Sequence, residues 1–191
     1  PDRRLESCTR FSNILVSKYS TINVMHNVYS VPSRLIKERV TILVYSEHLE
    51  IWVGNRSIYK LPRMYGEYKS SINYRHIVES LVRKPGAFEN YKYRSDLFLS
   101  THFRIVYDML LQQKPAKANS IYVKILYHAA MFNENYVDRA LKDIIDNDLD
   151  VTIELVKEKA GRFAELKTIY TPKVDETPLS SYDLLISGGV K

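Results

Sequence analysis

Between Ile22 and Leu61 the chain alternates apolar and polar positions in short runs: INVM, VYSVP, RVTILVY, LEIWV and SIYKL. Val40, Ile42 and Val44 fall at every second position, as do Leu49, Ile51 and Val53, which is the period of a strand with one buried face. Gly54-Asn55 separates two runs and predicts a tight hairpin turn. Pro32 ends a run, where a strand tolerates a missing N–H donor. Four or five strands within about forty residues, with no helix between them, predict a small antiparallel β-barrel over residues 22–73. Residues 1–21 then form a lead-in.

After Tyr74 the period lengthens. Ile77, Val78, Leu81 and Val82 lie at helical spacing, and Pro85-Gly86 ends that helix. A second helix is expected from about Asp96 to Gln112, with Leu97, Phe103, Val106, Tyr107, Leu110 and Leu111 as its apolar stripe. Lys114-Pro115 closes it. A third runs from about Ser120, a candidate N-cap, to Phe132. A fourth starts near Glu134 and carries Val137, Ala140, Leu141, Ile144 and Ile145 on one face. A fifth spans about Thr152–Ala160, with Gly161 as its stop. Short connections predict antiparallel neighbours. The fold class is therefore α+β: the barrel, a helical subdomain over residues 74–170, and a tail.

The tail, residues 171–191, holds two prolines, Ser180-Ser181 and Gly188-Gly189, and is expected to be flexible. Within it Leu179, Tyr182, Leu184, Leu185 and Ile186 form an apolar cluster in polar surroundings. The cluster either serves as a linear binding motif or folds back onto the helices.

Charge divides the chain in the same way. Residues 1–66 hold ten Lys/Arg against five Asp/Glu, residues 67–117 nine against five, and residues 118–191 nine against twelve. The basic part suits a phosphate backbone, whereas the acidic part would be repelled by one. A lone Cys8 excludes an internal disulfide framework and suits a reducing compartment. No apolar run approaches the length of a membrane span, and no signal-peptide pattern opens the chain. The opening PDRRLES lacks an initiator methionine and is expected to continue a longer protein. Fifteen tyrosines beside one tryptophan supply rings with polar tips, suited to half-buried surfaces and interfaces.

Catalytic constellations are sparse. Asp143, Asp146, Asp148 and Asp150 cluster after a helix and read as its solvated end rather than as a two-metal site. Glycine is missing from the position an EF-hand loop requires. His26, His48, His76, His102 and His128 show no metal-ligand spacing. There is no Walker loop, dinucleotide fingerprint or nucleophile elbow. An independent nuclease is disfavoured because no convergent carboxylate set is visible, and no catalytic or metal-binding residue and no cofactor is assigned.

Residues 74–98, YRHIVESLVRKPGAFENYKYRSDLF, carry the nucleic-acid signal. In Tyr91-Lys92-Tyr93-Arg94 rings alternate with cations, so an extended backbone would put both rings on one face and both charges on the other. Arg83 and Lys84 add to the same basic region. Cations of this kind neutralise phosphates, while the rings either stack on bases or dock the segment against the barrel. Phe88, Leu97 and Phe98 are expected to anchor the segment.

That string, together with VSKYSTINVMHNVYSVPSRLIKERVTILVY, resembles the C-terminal region of IstA-type DDE transposases of bacterial insertion sequences, over roughly residues 10–165. The tail's YDLLI also resembles the leucine-rich ends of these proteins. The resemblance implies an upstream integrase core that holds the Mg²⁺-dependent catalytic carboxylates, none of which is carried onto this chain. It implies a bacterial, cytoplasmic, nucleoid-associated protein whose partners are DNA (transposon ends or target), other transposase subunits and a helper AAA+ ATPase of IstB type. The similar arrangement in phage Mu transposase assigns the barrel to DNA and assembly contacts and the far C-terminus to the ATPase. The expected function is a non-catalytic module that contacts DNA and recruits the ATPase through helices or tail. The alternative is a purely protein-interaction module.

Overall fold

Seven strands precede five α-helices in the computed structural model, which describes residues 8–169. Strands β1 (Thr9–Leu15), β4 (Arg39–Val44), β5 (His48–Val53) and β6 (Arg56–Pro62) form an antiparallel sheet in the order β1-β4-β5-β6. Strands β2 (Thr21–Val24), β3 (Asn27–Ser30) and β7 (Ser70–Ser71) form a second sheet, in which β2 and β3 are antiparallel and β7 runs parallel to β3. β1 lies within the stretch read as a lead-in, where it pairs with β4.

The expected closed barrel is therefore replaced by two open sheets. β1 and β6 remain the edges of the larger sheet. β6 ends at Pro62, which has no N–H to extend the ladder, and the chain leaves as a loop before β7. The two sheets enclose one core. Ile22, Val24, Tyr29 and Val31 meet Val40, Ile42, Val44, Leu49 and Ile51, all buried. The period-2 reading thus places its apolar residues inside, apart from Val53, which is exposed at the strand end. Gly54 and Asn55 do form the β5–β6 turn; Gly54 has φ +57°, the left-handed conformation the turn requires of its first central residue.

A second core begins at Tyr74 and runs through α1 (Val78–Arg83), α2 (Thr101–Gln113), α3 (Ala118–Met131), α4 (Glu134–Asp146) and α5 (Ile153–Ile169). Helix starts follow the caps. Ser100 accepts from the His102 and Phe103 amides, so α2 begins there rather than near Asp96. Leu97 is fully buried, but from a separate 3₁₀ turn over Arg94–Leu97. Leu111 faces outward from α2. α3 opens two residues before Ser120, with no side-chain cap at Lys117. Asn133 caps α4. α5 continues through Gly161, whose φ is not left-handed, to Ile169; a mid-helix glycine costs about 1 kcal/mol without ending the helix.

Candidate nucleic-acid interface

The joint between the two cores is built by residues 72–98. Asn73 accepts from the Arg75 amide and starts a 3₁₀ turn over Tyr74–His76 that leads into α1. α1 buries Val78 and Leu81 and stops at Arg83, because Pro85 forces Lys84 out of the helical region, to φ −137°. The turn over Pro85–Ala87 then sends Phe88 into the second core. There its ring meets Phe98, Tyr107 and Tyr122 at centroid distances of 6.0, 5.2 and 4.9 Å. Phe88 and Leu97 are fully buried and Phe98 partly so, as an anchoring role demands.

Tyr93 sits in a turn and Tyr91 just before it, neither in an extended strand. Their rings still share a side: the centroids are 6.0 Å apart, and both pack edge-on against Tyr19, at 5.9 and 6.5 Å. The Tyr91 hydroxyl donates to the Tyr19 carbonyl at 2.9 Å. Burial pushes the Tyr91 phenol pKa up, helped by the nearby Tyr93 and Asp96, so it is a neutral donor at any physiological pH. Of the two rings proposed for base contact, Tyr91 is buried in the joint and Tyr93 is half-buried.

A cleft of about 550 Å³ opens where α1 meets the segment between β1 and β2. Ile77, Leu81 and Tyr91 supply its apolar lining, and Lys18, Arg83 and Lys84 its cations; among the described residues no Asp or Glu lines it. All three cations are exposed. The Lys18 ammonium lies 5.0 Å from the Tyr19 ring centroid, and that of Lys92 lies 5.3 Å from the Tyr93 ring. Among the described residues no carboxylate pairs with Lys18, Arg83, Lys84 or Lys92. Arg94 is half-buried and donates to the Glu89 carbonyl at 3.3 Å. So Arg83, Lys84 and Tyr91 share the cleft, while Lys92, Tyr93 and Arg94 do not line it. Lys18 is the residue sequence reasoning missed; its signal was the Lys18-Tyr19 pair, the same cation–ring alternation found at 91–94.

The carboxylates go elsewhere. Asp143 pairs with Lys159, and Asp150 with Lys114 at 2.6 Å. Among the described residues no three His, Cys, Asp or Glu side chains converge as metal ligands, and no helix is long and apolar enough to cross a membrane. Leu179, Tyr182, Leu184, Leu185 and Ile186 lie outside the described residues.

Residues 1–73 match the family model for the Mu transposase C-terminal domain. The match ends where the helical core begins, so it covers the two-sheet unit and supports a transposase C-terminal region. An uncharacterized protein of Sinorhizobium fredii, y4jA/y4nE/y4sE, is 29% identical over 201 residues, covering 97% of this chain. The chain spans 38% of that relative's length. No solved structure matches.

Proposed function

We propose that this chain is the non-catalytic C-terminal region of an IstA-type DDE transposase. On this reading it holds DNA, at transposon ends or target, through the basic cleft, and helps assemble transposase subunits on it. The observation that carries the reading is the cleft, where Lys18, Arg83 and Lys84 from two parts of the chain face one opening with no carboxylate among its described lining residues. Cations gathered on a rigid joint release counterions when they meet phosphates, giving sequence-independent affinity that falls steeply with salt. Lys92 and Arg94 extend the basic surface along the same segment, and Tyr93 offers a half-exposed ring beside it. Tyr91 supports the site by positioning Tyr19 and Lys18 rather than by touching bases.

The remaining parts of the reading follow from the family. Mg²⁺ and the catalytic carboxylates belong to an upstream core, the protein works in the bacterial cytoplasm at the nucleoid, and a helper AAA+ ATPase of IstB type binds the helices or Leu179–Ile186. A second reading, a protein-interaction module without DNA contact, draws on Tyr127, Met131 and Phe132, which stay exposed around the end of α3.

Two titrations decide. Replacing Arg83, Lys84, Lys92 and Arg94 together by alanine should weaken duplex binding and flatten its salt dependence; unchanged affinity and slope would refute the DNA assignment. Ending the chain at Tyr170 should abolish binding of the helper ATPase and leave duplex binding intact. Equal ATPase binding by both forms would move that contact from the tail to the helices or sheets.

A further inference from the structure

The two-sheet unit carries a second group of exposed rings and cations, at the far end of β2 from the cleft. Lys18–Ser20 precede β2 and Met25-His26 follow it, so strand rise separates the two surfaces by roughly 15 Å. Met25 and His26 form the two-residue β2–β3 turn with φ of 48° and 61°, and Tyr68, facing them, has φ 60°. Side chains bearing a Cβ disfavour this left-handed region, so the surrounding bonds must hold them there.

Those bonds centre on buried Asn27. Its amide donates to the Gly66 carbonyl at 2.6 Å, and its carbonyl oxygen accepts from the Lys69 amide at 3.0 Å. The Tyr68 amide donates to the His26 carbonyl at 3.0 Å, and the Val28 amide to the Lys69 carbonyl at 2.8 Å. Hairpin tip and loop 63–69 are thereby one rigid piece. What it displays is unusual for a surface that only closes a core. Tyr68 is 83% exposed and Tyr65 58%, and the His26 ring lies 5.8 Å from that of Tyr68.

Cations flank the rings. The Arg63 guanidinium sits 5.5 Å from the Tyr65 ring centroid and donates to the Tyr45 carbonyl at 3.0 Å, and no carboxylate pairs with it among the described residues. Lys69 is exposed and has no carboxylate partner among the described residues. Between tip and loop lies a pocket of about 390 Å³ with Val24, Val44 and Leu49 in its lining and one carboxylate, Glu67.

We propose that this end of the two-sheet unit binds unpaired nucleotides of a DNA end or junction, stacking bases on Tyr68 and Tyr65 and meeting phosphates with Arg63 and Lys69. A paired duplex buries its base faces, so exposed rings beside cations match unpaired strands and not duplex interior. The proposal rests on the DNA reading above and adds a site and a strand state to it.

The test is fluorescence anisotropy of the full chain with a blunt duplex and with the same duplex carrying a short oligothymidine tail. The tailed duplex should bind about tenfold more tightly, as stacking of one or two bases provides. The double variant Tyr65→Ala/Tyr68→Ala should lose that increment and keep blunt-duplex affinity, while Tyr65→Phe/Tyr68→Phe should retain it. Equal binding of both duplexes by the unaltered chain, no DNA binding at all, or an increment that survives loss of both rings overturns the proposal. If the alanine variant instead loses self-association with the increment intact, the platform is a protein contact and the proposal falls. Changing Arg83, Lys84, Lys92 and Arg94 should lower both affinities and spare the ratio. A tail increment that persists when blunt binding ignores those four residues sinks the cleft reading alone.

Discussion

The Tyr91 hydroxyl reaches the carbonyl of Tyr19, 72 residues earlier, and ties the segment between β1 and β2 to the one after α1. That bond keeps Lys18 on the same cleft as Arg83 and Lys84. Tyr91→Phe leaves the ring packed but strips a partly buried carbonyl of its donor, and should cost about 1 kcal/mol in urea unfolding. An unchanged midpoint would mean that ring packing alone holds the joint.

Lys18 was added to the basic surface by the fold. If its ammonium meets a phosphate, Lys18→Ala should lower the slope of log affinity against log salt by about 1, uniformly across duplex sequences. A change confined to one sequence would assign Lys18 to base reading.

His76 is buried, with Nδ1 2.9 Å from the Ser30 hydroxyl. That hydroxyl also accepts from the Asn73 amide at 2.7 Å, and Nε2 has no hydrogen-bond partner among the described residues. Burial pulls the His76 pKa below its ordinary 6.5, a hydrogen bond to the Ser30 backbone opposing. The unfolded chain therefore takes up the proton first, and stability should be full above about pH 6.5 and fall as pH drops below it. His76→Gln should flatten part of that decline. His128, also lowered, by burial and the charge of Lys157, would supply the rest.

Glu134, at the start of α4, accepts from the Tyr74 hydroxyl at 2.8 Å and from the Arg75 Nη2 at 2.5 Å. Burial opposes its ionisation, yet the hydrogen bonds from Tyr74 and Arg75 and the Arg75 charge hold its pKa below the ordinary 4.5. Its contribution should be present above about pH 4.5 and fade as pH falls through the depressed value. Since Arg75 and Glu134 are about half exposed, Glu134→Gln should cost under about 1 kcal/mol at pH 7.

Met25-His26 occupies a turn whose left-handed pair of residues favours Asn-Gly. Met25→Asn/His26→Gly should stabilise the protein by about 1–2 kcal/mol in thermal or urea unfolding. A loss instead would mean that the His26–Tyr68 contact outweighs the relieved backbone.

The parts of this fold that were legible are those where one face is buried and the other wet. Val40, Ile42 and Val44 alternate because β4 is covered on one side, and α4 is readable for the same reason at helical period. β1 was not readable: a bulge around Asn13, at φ 62°, breaks its alternation, and most of its residues are exposed. β7 is Ser70-Ser71, with no apolar residue to signal it. Barrel closure depends on which edges meet, and strand period carries no information about that. Arg83 and Lys84 could be named from the sequence, but their meeting with Lys18 is a long-range contact. The platform at Met25, His26 and Tyr68 uses left-handed residues that are not glycine, so its backbone left no mark in composition.

β7 pairs with β3 through Val28–Ser70 and Tyr29–Ser71, and Ile72, next in the chain, already packs against the helical core. The two units therefore share no tether along which tension could dissipate. If one is held and the other pulled, load passes at once into this two-residue ladder and into the Tyr91–Tyr19 and Asn73–Ser30 hydrogen bonds beside it. The seam between sheet and helices is thus where a pulling force on either unit is first carried.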